Sequence, residues 1–195
     1  MKILLFQMSW LKKAAPLACA GVLMFFLAGC LISEREEYTL RLNPDGKTGT
    51  LFSLKSNVQS GSADTADQRK DFAELISNWK SDQYLIDRMT SGVYIKDRDV
   101  RLDGGEVVWS ETSLVSDASK ILPRYNDNDT TRLPLNLSDG EVTETNGTMN
   151  NMKDSVVIVW PPHTREFIVK MKVRDFHPKS DFGERLKEYL KQNGG

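Results

Sequence analysis

The sequence predicts an α+β fold: a mostly antiparallel sheet built from hairpins, with an amphipathic helix near 66–80 and a C-terminal helix near 182–192. Three observations predict it. Tyr38-Leu40-Leu42 and Phe167-Val169-Met171-Val173 alternate apolar with polar residues, the period of a half-buried strand. Phe72, Leu75, Ile76 and Trp79 recur at helical spacing. Helices fall between and after runs of hairpins, the chain order of an α+β domain.

The first hairpin runs through Tyr38, Leu40 and Leu42 to a turn at Asn43-Pro44-Asp45-Gly46. Pro44 presets φ there and Gly46 accepts a left-handed position. Thr48, Thr50, Phe52 and Leu54 continue the alternation on the way back. Ser60 to Thr65 is small and polar, a loop. Thr65 and Gln68 have capping-box spacing, so the first helix is expected from about Ala66 to Lys80. Tyr84, Leu85, Ile86 and Met89 predict a shorter helix ending near Gly92. Val93 to Lys96 and Asp99 to Leu102 are short strand candidates. Asp103-Gly104-Gly105 turns the chain into Glu106 to Ser113, with Val107 and Trp109 on one face.

Ser116 to Leu122 has room for one helical turn before Pro123, and Asn126 to Thr131 reads as a polar loop. Leu133, Leu135 and Leu137 alternate, with Pro134 pushing that strand to an edge. Ser138-Asp139-Gly140 is a turn and Asn146 to Lys153 another loop. Ser155 to Trp160 is a run of β-formers, Pro161-Pro162-His163-Thr164 a turn, and Phe167 to Val173 the next strand. A connection that short predicts antiparallel pairing of the two strands. Asp181 and Glu184 have capping-box spacing ahead of Phe182, Leu186, Tyr189 and Leu190, a final amphipathic helix ended by Gly194-Gly195.

The N-terminus carries a different kind of information. Lys2, Lys12 and Lys13 are the only charged side chains before Glu34, and an apolar run follows from Ala14 to Gly29. A basic head, an apolar middle and small residues at a cut point are the parts of an export signal. A start at Met8 would shorten the signal without changing anything downstream. Its last four residues, Leu27-Ala28-Gly29-Cys30, resemble the lipobox of bacterial lipoproteins. The resemblance covers residues 1 to 30. It implies a signal peptide over 1–29, acylation of the Cys30 sulfur and cleavage after Gly29. An uncleaved membrane helix over Ala14 to Ile32, 19 residues, is the alternative, and Pro16 and the Ala-Gly ending count against it. Leu31-Ile32-Ser33 stand where an Asp would mark retention at the inner membrane, so the resemblance favours the outer membrane.

Cleavage would leave 166 residues, enough for one domain over 38–192 with its own core. Residues 30–37 are then expected as a lipidated N-terminus and short tether, about 25 Å at full stretch for its last seven residues. Removing three lysines from 26 basic residues leaves 23 against 27 acidic, a net of −4. That balance offers no basic field for nucleic acid. Acyl chains hold a bilayer through buried methylenes, roughly 0.8 kcal/mol each, and two or more chains make a lasting tether. Cys30 would be the only cysteine left, so no disulfide is expected.

Searching the rest for chemistry yields little. Ser77-Asn78-Trp79-Lys80 and Lys47-Thr48-Gly49 spell fragments of the penicillin-recognising serine enzymes, but in the wrong order and without the third motif. His163 and His177 lack zinc-ligand spacing. Asn126 to Thr131 is rich in oxygens, yet Arg132 and the missing closing Glu argue against a calcium loop. Trp160 either caps the core or offers a ring for stacking. Sequons at Asn128, Asn136 and Asn146 read as chance in a bacterial lipoprotein. No catalytic, metal or cofactor residue is expected; the one candidate site residue is Cys30, for lipidation. The expected role is a lipid-anchored envelope protein working by contact with an unidentified envelope partner. A binding module for a small ligand, lipid or glycan ranks second, with a groove at Trp109 or Trp79 as its mark. A carboxylate enzyme ranks third, marked by paired carboxyls, one with a raised pKa.

Overall fold

The computed structural model describes residues 31–122, 125, 129–137, 140–152, 155–177 and 180–193. Within them lie nine strands and three helices, and the fold is α+β as expected. The elements are β1 Leu31–Leu42, β2 Gly49–Ser60, α1 Thr65–Lys80, α2 Asp82–Thr90, β3 Val93–Asp103 and β4 Glu106–Val115, followed by β5 Thr131–Asn136, β6 Gly140–Thr145, β7 Thr148–Met152, β8 Ser155–Trp160, β9 Glu166–Val173 and α3 Phe182–Asn193. They form a six-stranded sheet in the order β3-β4-β2-β1-β9-β6 and a three-stranded sheet in the order β5-β8-β7. Every pairing is antiparallel.

Strand β4 shows how the large sheet is covered. Val107, Trp109, Glu111, Ser113 and Val115 alternate on one face and are all buried. Val107 and Trp109 belong to a core with Leu75 of α1 and Phe182 and Leu186 of α3. Val115, at the other end of the same face, belongs to a core with Leu133 and Leu135 of β5 and Val156, Ile158 and Trp160 of β8. One face of the large sheet therefore carries two layers side by side, helices over one part and the small sheet over the other. The two neighbouring strands repeat the division. On β2, Leu51 joins the sandwich core and Val58 the helix core; on β1, Leu40 and Leu42 join the former and Leu31 the latter. The alternation slips by one residue where Asn57 adopts φ 54° opposite Glu34, and the Asn57 amide donates to Glu34 at 3.0 Å. Asn tolerates that left-handed conformation better than most residues.

Several expectations need correction. Leu31 to Glu37, expected as a tether, are the first half of β1, paired with β2 from Leu31 opposite Ser60 onward. The helix α1 is capped one residue earlier than expected: the Asp64 carboxylate accepts from the backbone of Ala66 and Asp67, while Gln68 bonds the Ser62 carbonyl. The two short strands after Gly92 are one strand, β3, with a bulge between Ile95 and Asp97. Asn146 to Lys153, expected as a loop, contains β7, and Gly140, expected in a turn, opens β6.

The largest correction concerns β8 and β9. They do not pair; β8 lies in the small sheet and β9 in the large one. The turn between them is an arch joining two layers, and it sets Trp160 edge-on to Phe167 with ring centroids 5.2 Å apart. Asn146-Gly147 makes a second crossing from β6 to β7. Both runs bury one face against the opposite layer, and that satisfies the same alternation a hairpin would. A Cβ on Gly147 would come within 2.6 Å of Ile158 and 2.8 Å of Trp160, so this crossing requires glycine.

Candidate functional site

Between the two cores, polar side chains interrupt the buried face. Glu36 and Tyr38 on β1, Lys55 on β2, and Glu111 and Ser113 on β4 stand in neighbouring rows of the sheet, since Glu36 pairs with Lys55 and Tyr38 with Ser53, which in turn faces Glu111. Helix α2 lays Tyr84 and Arg88 over the Glu111 side. The result is two carboxylates with matching partners. Glu36 accepts from Ser33 Oγ at 2.6 Å and Tyr38 at 2.6 Å and faces Lys55 Nζ at 3.2 Å. Glu111 accepts from Ser113 Oγ at 2.8 Å and Tyr84 at 3.0 Å and faces Arg88 at 3.3 Å. Each takes one serine, one tyrosine and one cation, and each uses both of its oxygens.

The electrostatics follow from that arrangement. Burial pushes the Glu36 carboxyl up, but the Lys55 ammonium and the hydroxyls of Ser33 and Tyr38 outweigh it and hold the group below the ordinary carboxylate range. Burial, followed by the charge of Glu36, pushes the Tyr38 phenol well above its usual value, and burial with Glu111 does the same to Tyr84. The phenols stay protonated and keep donating. A carboxylate held ionised by three donors is a poor proton acceptor and offers no proton to give. Glu36 is thereby held as a fixed charge, not poised as an acid or base.

The carboxyl pair nearest to the mark of an enzyme is Asp71 with Glu74, one turn apart on α1. Burial, then the charge of Asp71, raises the Glu74 pKa. Asp71 is buried and accepts from Ser60 Oγ at 2.5 Å, within a knot in which Gln59 and Ser60 at the end of β2 also bond Ser180 ahead of α3. Among the described residues no group of three or more His, Cys, Asp or Glu could hold a metal.

Cys30 lies outside the described residues, as does the whole of the apolar-to-Cys signal it closes. Among those described, no helix is long and apolar enough to cross a membrane. Trp160 is fully buried, and its indole N–H donates to Asn146 at 2.8 Å, so it caps the core and offers no stacking ring. Asn146 also accepts from Ile168 N and donates to the Glu166 carbonyl, which occupies that sequon structurally. Trp109 is buried edge-on to Tyr84, and Trp79 packs on the helix core under the Lys80 ammonium. A cavity of ≈ 20 Å³ lies between Tyr38, Leu51, Leu122, Leu133, Trp160 and Phe167. It has room for a water-sized molecule, far below the roughly 300 Å³ of a small-molecule site. His163 sits at the β8–β9 arch with φ 60°. Of the oxygen-rich loop, Asn126 to Asn128 lie outside the described residues, and Asp129 bonds its neighbour Thr130. Ser77 and Lys80 end α1 while Lys47 to Gly49 leave the first turn.

Comparison with protein-family models, with curated proteins and with solved structures finds no match. The seam was the part that reading for motifs missed. Its signal was faint but present: Glu36 stands in phase with Tyr38-Leu40-Leu42, and Glu111 in phase with Val107 and Trp109. A charged residue on the buried phase of a strand asks for a partner.

Proposed function

We propose that the protein is a lipid-anchored cell-envelope protein with a non-enzymatic, contact-based role. The observation that carries this reading is Leu27-Ala28-Gly29-Cys30 at the end of the apolar run, followed without a spacer by β1 at Leu31. An acylated Cys30 would hold the sheet itself at the headgroups, with no stalk between. Two features support contact over chemistry. The buried carboxylates of the seam have their oxygens engaged. The uncovered face of the large sheet bears Phe52, Tyr94 and Leu114, all exposed, with Tyr94 directly opposite Leu114. An apolar cluster of that kind on a soluble surface marks an interaction site.

The test is mass spectrometry of the mature N-terminus from a bacterial host, with fractionation of Cys30→Ser beside the native chain. The expected result is a diacylated or triacylated Cys30 and loss of the Cys30→Ser protein from the envelope fraction. An unmodified Cys30 with Met1 or Met8 retained overturns the reading.

A further inference from the structure

Asn-Gly occurs twice in the chain, at Asn146-Gly147 and Asn193-Gly194, and the two asparagines are held very differently. Asn193 ends α3, is exposed, and donates from its amide to the Tyr189 carbonyl at 2.9 Å. Helix ends fray at almost no cost. Asn146 makes the crossing from β6 to β7 and is also exposed, but its side chain holds three groups at once. Oδ1 accepts from Trp160 Nε1 at 2.8 Å and from Ile168 N at 2.9 Å, and Nδ2 donates to the Glu166 carbonyl at 2.8 Å. The next residue is tied as well, since the Gly147 N–H donates to Thr145 Oγ1 at 3.1 Å. A carboxamide both accepts and donates, and this position uses both capacities. Ile158 and Trp160 leave no room for a Cβ on Gly147. The crossing therefore demands both members of an Asn-Gly pair, in which the absent Cβ leaves the backbone nitrogen open to the side-chain amide before it.

We propose that Asn146-Gly147 is a deamidation site guarded by the fold, and that a chain converted there while open cannot rebuild the crossing. In the reaction the Gly147 nitrogen attacks Asn146 Cγ. The Gly147 N–H proton passes through water to the departing amide nitrogen, which leaves as ammonia. Water then opens the cyclic imide. Breaking the bond from Cγ to the Gly147 nitrogen gives aspartate; breaking the bond from the Asn146 backbone carbonyl carbon gives isoaspartate, whose main chain runs through the former side chain. Nothing is oxidised or reduced. In the folded chain the amide is bonded to β8 and β9 and the attacking nitrogen to Thr145, so the two cannot turn towards each other until the crossing opens. The guard is bonding and not burial, because water reaches Asn146 as it reaches Asn193. Neither product fits the closed crossing. Aspartate still accepts from Trp160 and Ile168, but it sets an acceptor against the Glu166 carbonyl where a donor stood. Isoaspartate adds a methylene to the main chain where Gly147 already lies against Ile158 and Trp160. No part of this depends on the lipid at Cys30.

The full chain, purified in detergent and held in mildly alkaline buffer with and without urea, tests it by peptide mapping with mass spectrometry. The expected result is that Asn193 converts in both, whereas Asn146 converts at least about tenfold more slowly without urea than with it, as a step gated by local opening should. When the urea-treated chain is returned to buffer, the folded fraction should keep the Asn146 amide and the converted chains should be left out of it. Asn146→Asp, made directly, should unfold at lower urea than the native chain. An Asn146 that stays intact in urea overturns the site, and equal rates with and without urea overturn the guard. Converted chains or an Asn146→Asp protein with the native urea midpoint overturn the rest.

Discussion

The two cores lie on one face of the same sheet, yet they are built by different means. The helix core is made of contacts that helical spacing announces: Phe72, Leu75, Ile76 and Trp79 on α1, Phe182, Leu186, Tyr189 and Leu190 on α3. The sandwich core is made by two crossings between layers, at Asn146-Gly147 and at Pro161 to Arg165, which bring β8 over β1 and β9. Between them stands the seam of Glu36, Lys55, Arg88 and Glu111. Burying charge costs several kcal/mol per ion unless it is paired, so a seam whose charges are paired is tolerated but does not by itself add stability. What it does is separate two apolar clusters on strands that run through both.

The largest expected effects come from emptying each core in turn. Trp160→Ala in the sandwich core should cost roughly 3–5 kcal/mol and Leu75→Ala in the helix core roughly 2–5 kcal/mol, read by chemical denaturation. Because β1, β2 and β4 pass through both cores, each variant should still unfold in a single transition by fluorescence and by circular dichroism. Two separated transitions would break the comparison and make the cores independent units. Next comes the seam. Glu111→Ala leaves the buried Arg88 guanidinium without its carboxylate and should cost roughly 3–5 kcal/mol, whereas removing charge from both as Arg88→Met with Glu111→Leu should recover much of that loss.

Gly147→Ala sharpens the contrast between crossings and hairpins. Its Cβ would press on Ile158 and Trp160, for an expected loss of about 1–3 kcal/mol; a neutral outcome would mean that the crossing can open without disturbing the sandwich. Dependence on pH reports in part on the seam, with Asp45, Asp117 and Asp181 adding to the acid limb. Glu36 is held below its ordinary value of 4.5, so its contribution is present above that pH and is lost as pH falls through the lower folded value. Tyr38 is held above 10.0, so stability is full below pH 10 and declines as pH rises past it. Denaturation midpoints measured across pH should show both limbs, and Glu36→Gln should flatten the acid limb. The smallest effect belongs to the open face. Arg41 and Glu166 pair at 2.6 Å with both side chains largely in water, so Arg41→Ala should change stability by no more than about 1 kcal/mol.

Much of the architecture was legible before any coordinates. The Tyr38-Leu40-Leu42 alternation, the turn at Asn43 to Gly46, the stripe on α1 and the edge position of Pro134 all stand as expected. Local chemistry decides these: strand period, the φ of proline and glycine, and the face a helix must bury. The cap of α1 was misplaced by one residue because Asp64 and Thr65 are both good caps and only the geometry chooses between them. The loop expected at Asn146 to Lys153 proved to hold a strand because Met-Asn-Asn-Met has little β preference of its own and is held by pairing with β8.

The sequence alone determined the α+β class, the first hairpin, the amphipathic helices and the lipobox-like ending at Cys30, because each is written in neighbours along the chain. Tertiary structure decided which strands share a sheet, that Leu31 to Glu37 are sheet and not tether, and that Glu36 and Glu111 each find a serine, a tyrosine and a cation. Those outcomes depend on groups brought together from distant positions. Alternation states only that one face of a strand is buried, never what buries it.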